Sequence, residues 1–409
     1  MKFYIERIIA TVALTLIYSF TWLIACLFRR IIRSKAVKKR IIINGTFHNP
    51  NWFHAHIAPI CQSNYGEVIL ICDEEIDQLP NLRYEIPPQW MMRIFTRAGA
   101  KFIWTIKLGI SHPADVFVGY HIFPSAITAL IAARLTGAKA IYQVTSGQLE
   151  LEGGGWNAEN RLLMALGKPS GWIEHLALAV TNQFDCAIVR GQQAKDFVLQ
   201  GGYQNRLEIV TGSVLTDASF MQESRDIDIL FVGRLAEYKR PDRFLQVIAD
   251  VLKKHPQINV AIAGDGPDRQ ALESQAQQAG ISNNVEFLGK RSDIPNLMGR
   301  ARLFVLTSRW EGVSIAMLEA MALAVVPVVG DVGDLRDFAR NGETGFVISE
   351  NDLPAFSETL SRLLADETLR TDLASNAREL ILRTCDRQVL SDRWNHIMTT
   401  LVMANSGDQ

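Results

Sequence analysis

Two hydrophobic patterns divide this chain of 409 residues. The first is one unbroken run, Ile8 to Phe28, with 21 consecutive uncharged and mostly apolar positions. The second begins near residue 40, where short apolar runs alternate with longer amphipathic stretches. The short runs read as strands: Arg40–Asn44, Glu67–Cys72, Asp115–Tyr120, Ala140–Thr145, Cys186–Arg190 and Arg206–Thr211. Helices fall between them, for example Ser125–Thr136. Strands alternating with helices predict a parallel sheet covered on both faces. A second block repeats the pattern with strands at Asp228–Val232, Asn259–Ala263, Val285–Leu288, Leu303–Thr307 and Val325–Val329. Within it, Pro241–His255 places Phe244, Leu245, Val247, Ile248, Val251 and Leu252 on one helical stripe. Periodicity weakens over Thr211–Ser224, which reads as a linker. The predicted organisation is an N-terminal segment 1–37, domains 38–214 and 215–390, and a helix and tail 391–409.

The apolar run has the length of a bilayer crossing, for which about 20 helical residues suffice. Arg29, Arg30, Arg33, Lys35, Lys38, Lys39 and Arg40 follow it, against Lys2, Arg7 and Glu6 before it. The positive-inside rule then puts everything after residue 29 in the cytoplasm, behind a single-pass transmembrane helix. A cleaved signal peptide has a shorter apolar core and a small-residue cleavage site, neither of which is present. A helix lying flat on the membrane would carry charges on its polar stripe. The stripe Thr11, Thr15, Ser19 and Trp22 carries none, which favours a crossing.

Composition adds exclusions. With 48% hydrophobic residues both blocks can bury full cores, and a net charge of -1 gives no basic field for a nucleic-acid partner. Cys26, Cys61, Cys72, Cys186 and Cys385 form no C-x-x-C pair and read as buried thiols in a reducing compartment.

Candidate chemistry concentrates in the second block. The stretch EGVSIAMLEAMA (311–322) leads from an apolar strand into a compact helix, with Glu311 before it and Glu319 about two turns in. The unpaired N–H groups at such a helix start suit a phosphate. Like charges repel, so the glutamates are expected to read hydroxyls instead. Arg234 and Lys239 lie on the loop after another strand, ahead of a helix opened by Pro241. Alone, these cations read as a solvated loop as readily as a diphosphate clamp. Beside the glutamate pair, a nucleotide-sugar site is the better reading.

These segments resemble the donor-binding half of retaining glycosyltransferases of family four, whose fold is the two-domain GT-B. The pieces are FVGRLAEYK (231–239), IAGDGPDRQAL (262–272), VEFLGK (285–290), EGVSIAMLEAMA (311–322), VPVVGDVG (326–333) and NGETGFVI (341–348). They occur in the family's order, over about 226–350. The resemblance implies an α/β fold of two doubly wound Rossmann-like domains facing a cleft. It gives Glu319 the donor's ribose hydroxyls and Glu311 the transferred sugar. Gly233, Arg234, Lys239, Gly312 and Val313 would meet the diphosphate, and Lys290 the nucleobase. It implies catalytic roles for Arg234, Lys239, Glu311 and, in the first domain, His121. For His121 the bland alternative is a polar strand end. The Asn44-Gly45-Thr46 turn matches the family's glycine-rich turn weakly. Gly264-Asp265-Gly266 lacks a third glycine at Arg269 and reads as a tight strand-to-helix turn. His54 and His56 are spaced like a metal pair on a strand, yet no carboxylate or cysteine accompanies them, so no metal is expected.

The chain departs from the family pattern at Ala324, where glycine is usual, at Gly333–Asp337, and at Arg190, where relatives often have serine. Donor and acceptor identity are affected more than reaction class. The expected reaction moves a sugar, with retention, from a nucleotide-diphosphate-sugar to a hydroxyl. No metal or other cofactor is needed, because Arg234 and Lys239 would carry the charge. A membrane lipid or lipid-linked saccharide is the expected acceptor. The alternatives are a nucleotide-sugar epimerase of the same fold and a membrane-tethered partner subunit with a decayed site.

Overall fold

The computed structural model describes residues 2–28, 39–157, 160–222 and 224–403. Of the basic flank, only Lys39 and Arg40 fall within the described residues. The chain forms two compact units, one of residues 1–213 with 387–409 and the other of residues 214–386.

Among the described residues the first unit contains seven strands: β1 (Arg40–Asn44), β2 (Glu67–Ile71), β3 (Leu82–Glu85), β4 (Val116–Tyr120), β5 (Lys139–Gln143), β6 (Cys186–Val189) and β7 (Arg206–Ile209). They are all parallel, in the order β3-β2-β1-β4-β5-β6-β7. The sequence runs Ile41–Ile43 and Val116–Val118 are continuous rather than alternating because both faces of the sheet are buried. The sheet order reverses between β1 and β4, so the loops leaving these two strands diverge and leave a crevice at their carboxyl ends.

The second unit has six parallel strands: β8 (Ile227–Val232), β9 (Val260–Ala263), β10 (Val285–Gly289), β11 (Ala301–Leu306), β12 (Val326–Gly330) and β13 (Phe346–Ile348). Their order is β10-β9-β8-β11-β12-β13, and the reversal lies between β8 and β11. The helix Pro241–Lys254 buries Phe244, Leu245, Val247, Ile248 and Val251 of the stripe read from its periodicity, and leaves its sixth member, Leu252, half-buried. The chain then returns to the first unit. Helix Arg387–Met403 packs Leu390, Trp394, Ile397 and Met398 into a core shared with Phe53 and Ile57 of helix Pro50–Gln62.

Helix Lys2–Leu27 covers the apolar run and is long and apolar enough to cross a membrane. It is not a free rod. Ala10, Leu14, Tyr18, Thr21 and Ala25 are buried, and four of them join the first unit's core beside Ile131, Ile173 and Ala177. The Trp172 indole N–H donates to the Thr15 hydroxyl at 3.2 Å. Cys61, Cys72, Cys186 and Cys385 are buried free thiols, whereas Cys26 on this helix is exposed, contrary to the expectation for all five.

Candidate functional site

The two loops that meet at the second unit's reversal point carry most of the residues singled out above. One leaves β8 and runs from Gly233 to Arg240. The other leaves β11 and runs from Thr307 to Ser314. Backbone and side-chain bonds tie them together: Arg309 N–H donates to the Tyr238 carbonyl at 2.8 Å, and the Thr307 hydroxyl to the Arg240 carbonyl at 2.8 Å. Lys239 Nζ lies 2.6 Å from Glu311 Oε1, and the Ser308 hydroxyl donates to the same oxygen at 2.6 Å. Sequence reading gave Lys239 and Glu311 separate ligands; the structure pairs them with each other. Both side chains are largely buried, so the pair is held in a fixed geometry.

Arg234 differs from Lys239. It is exposed and has no ion-pair partner among the described residues. The neighbouring Arg240 is clamped by both oxygens of Asp242 at 2.9 and 2.8 Å. Its charge is thereby neutralised locally.

Two further loops press on this centre. A Cβ on Gly333 (φ 56°) would lie 2.0 Å from the Glu311 carbonyl, so only glycine lets the loop after β12 close on Glu311 and Gly312. Similarly, a Cβ on Gly264 would lie 1.8 Å from the Gly233 carbonyl, which is why the Gly264-Asp265-Gly266 turn is tight. Gly312 accepts the Asp334 N–H at 3.2 Å, and Val313 packs against the core. Ser314 then caps the eight-residue helix Ile315–Ala322 by accepting the Met317 N–H at 3.3 Å.

Glu319 projects from this helix between the buried Leu318 and Ala320. It has no hydrogen-bond partner among the described residues, and burial pushes its carboxyl up to about 7. The residue keeps partial exposure. Lys290 is exposed after β10, two strands from β8 in the sheet. It lies at the same carboxyl end of the sheet but not in contact with the Lys239–Glu311 pair. A hollow of about 380 Å³ on this unit lies to one side, lined by Arg240, Asp242, Asp268 and Gln275. It contains none of the predicted site residues.

In the first unit, His121 ends β4 at that sheet's own reversal point, with φ 63°. Its Nδ1 lies 2.6 Å from the Thr145 hydroxyl and 3.6 Å from Glu150 Oε2. Glu150 is fully buried. Burial raises its carboxyl, but the His121 charge and hydrogen bonds from His121, Tyr142 and Ser146 outweigh this and hold it down at about 2. The Trp52 ring lies parallel to the imidazole with centroids 6.4 Å apart. Sequence reading missed Glu150 and Thr145. Glu150 sits between Leu149 and Leu151 but among Ser146, Gln148 and Glu152, so no sequence signal singles it out.

The Asn44-Gly45-Thr46 turn is bound internally. Lys101 Nζ, buried, contacts the Thr46 hydroxyl at 2.7 Å and Asp73 at 3.2 Å, and Asn44 donates to Thr105 at 2.8 Å. The His54/His56 pair is not on a strand but on helix Pro50–Gln62, where positions two apart diverge. His54 bonds Asp77 at 2.8 Å, while His56 is buried against Trp52. Arg190 is buried as well and donates to the Val210 carbonyl at 3.0 Å. Burial lowers its guanidinium to about 10.

Two Rossmann-like parallel sheets of this order define an α/β protein of the GT-B class. Residues 217–380 match the family model described as Glycosyl transferases group 1, so the second unit carries a domain of that family. A Campylobacter jejuni GalNAc-alpha-(1->4)-GalNAc-alpha-(1->3)-diNAcBac-PP-undecaprenol alpha-1,4-N-acetyl-D-galactosaminyltransferase is 32% identical over 166 residues, covering 40% of this chain and 45% of that protein. An Escherichia coli UDP-Gal:alpha-D-GlcNAc-diphosphoundecaprenol alpha-1,3-galactosyltransferase is 30% identical over 154 residues, covering 37% of this chain and 40% of that protein. The matched segments span between 19% and 65% of the length of such curated relatives. Among solved structures, Anabaena HepE in complex with UDP-glucose superposes with a TM-score of 0.70 at 15% identity, over 88% of this chain and 99% of that one. That likeness is one of fold.

Proposed function

We propose that the protein is a retaining glycosyltransferase. It moves a sugar from a nucleotide-diphosphate-sugar to a hydroxyl of a lipid-linked saccharide or glycolipid at the cytoplasmic face of a membrane. The observation that carries this reading is the placement of Arg234, Lys239 and Glu311 on the two loops at the reversal point of the second sheet. In an open parallel sheet this is where ligands bind, and here the loops lie inside the group 1 domain.

The barrier is cleavage of the bond between the sugar and the diphosphate. Arg234 and Lys239, with Gly233 and the N–H groups at Gly312 and Val313, stabilise the negative charge that grows on the leaving group. Arg234 has a free charge for this task. Lys239 gains the phosphate while Glu311 keeps Ser308 and turns its other oxygen to the sugar's hydroxyls. Glu319 accepts from the ribose hydroxyls, which relieves its unpartnered carboxylate. Lys290 lies on the nucleobase side. The leaving phosphate oxygen takes the acceptor's proton on the same face of the sugar. The two side-chain cations do the work of a divalent ion, so the reaction is metal-independent. For His121 of the first unit, held by Thr145 and Glu150 beside Trp52, the proposed role is a catalytic, sugar-facing one.

The lipid-linked acceptor is supported by the two relatives whose names specify undecaprenol-linked substrates and by the apolar N-terminal helix. The test is transfer from a panel of UDP- and GDP-sugars to a polyprenyl-diphosphate sugar and to a free sugar. Transfer to the lipid-linked acceptor alone supports the reading. Turnover of donor with no acceptor present would favour an epimerase, and no binding of either nucleotide a decayed subunit.

A further inference from the structure

Helix Lys2–Leu27 presents two opposed faces. The inner one, Ala10, Leu14, Tyr18, Thr21 and Ala25, is sunk in the first unit over most of the helix's length. The outer one runs Ile9, Val12, Leu16, Phe20, Leu23 and Leu27, spaced by three or four residues, and every member is exposed. From Ile9 to Leu27 this face runs about 27 Å along the helix. An uninterrupted apolar surface of that length exceeds what a soluble protein leaves bare.

A bilayer crossing would need lipid around the whole helix. The inner face is already occupied, and its neighbour, helix Gly171–Thr181, carries Glu174 and His175. Glu174 accepts the Gly153 N–H, which ties it to the same unit. Crossing would drag these groups into hydrocarbon or strip Leu14 and Tyr18 out of the core. Two further observations identify what covers the outer face. Exposed Tyr4, Trp22 and Trp172 have the amphipathic rings that settle at a membrane–water boundary. The seven basic residues from Arg29 to Arg40 follow directly in sequence and match anionic headgroups. A seam for a second copy would instead be flanked by charged positions, and Ile8–Phe28 has none.

We propose that this helix is an in-plane membrane element: its inner face is part of the first unit's core and its outer face lies in the interfacial layer of an anionic bilayer. Both ends then stay on the cytoplasmic side. This deepens the membrane part of the proposed function and does not depend on the donor site.

The experiment uses the full-length chain with Cys26→Ser, expressed in a bacterium, with a single new thiol at Glu6→Cys or, as an orientation control, Ser34→Cys. A membrane-impermeant maleimide is applied to inverted vesicles and to spheroplasts. Labelling of Glu6→Cys in inverted vesicles and not in spheroplasts is the expected result. Labelling in spheroplasts alone would mean a crossing and overturn the proposal. Recovery of the chain in the soluble fraction as a dimer that Leu16→Glu dissociates would overturn it in favour of a second copy. In the membrane-bound case, Leu16→Glu with Phe20→Glu releases the protein into the soluble fraction with its thermal midpoint unchanged. Sugar transfer by the same vesicles reports separately on the donor-site reading.

Discussion

Lys239 and Glu311 are 72 positions apart in sequence and 2.6 Å apart in the fold. Each was legible as a candidate from its own loop chemistry, but their pairing was not, because it depends on how β8 and β11 are ordered in the sheet. Glu319 was legible through its apolar flanks, since a carboxylate there needs a partner. Its carboxyl at about 7 has a consequence for pH. The unfolded chain ionises first, so this group weakens folding as pH rises from the ordinary carboxylate range towards 7. Ribose hydroxyls favour the ionised form. UDP binding by the protein, relative to Glu319→Gln, therefore strengthens between about pH 6 and about pH 8. Calorimetric titration at the two pH values checks this, and parallel behaviour of the two proteins would remove Glu319 from the site. Ala324 shows a different kind of legibility. It stands where glycine was expected and adopts φ 55°, the left-handed conformation that glycine takes without strain. Ala324→Gly should raise stability by about 1 kcal/mol, read from chemical denaturation.

At the scale of elements, alternation located the central strands to within a residue or two, because buried parallel strands are continuous apolar runs. It missed β3 and β13, one edge strand of each sheet. Leu82–Glu85 is half polar and Phe346–Ile348 is very short, so neither leaves a periodic trace. The N-terminal helix was legible in length but not in its docking, since a uniformly apolar run hides which stripe meets protein. Leu14→Ala should cost about 2–4 kcal/mol by opening a core cavity, whereas Leu16→Ala should stay within about 0.5 kcal/mol. Unfolding of the two variants in mild detergent distinguishes a docked helix from a free one, which would show equal, small effects. The turn from Thr145 to Glu150 was not legible as an element at all, because its order comes from one buried carboxylate. Glu150, held down at about 2, supplies stability that is present above the usual carboxylate range and lost as pH falls towards 2. Glu150→Gln should flatten the acid limb of the thermal midpoint against pH and weaken transfer while leaving UDP affinity intact.

Across the whole chain, the two-block organisation was readable from the repeated alternation. The place of residues 387–403 in the first unit was not readable from their own pattern, because an amphipathic helix does not state which core it will join. Lys101 was likewise invisible: its contacts, Gly45, Thr46 and Asp73, come from two separate segments. The central claim is that Arg234 and Lys239 grip the diphosphate of a nucleotide-sugar. Its most direct test is transfer from the best donor of the panel by the full-length protein and by Arg234→Ala with Lys239→Ala. The account predicts a loss of turnover of at least ~100-fold, in line with removal of a charge stabiliser from a transition state. Turnover near that of the unaltered protein would contradict it.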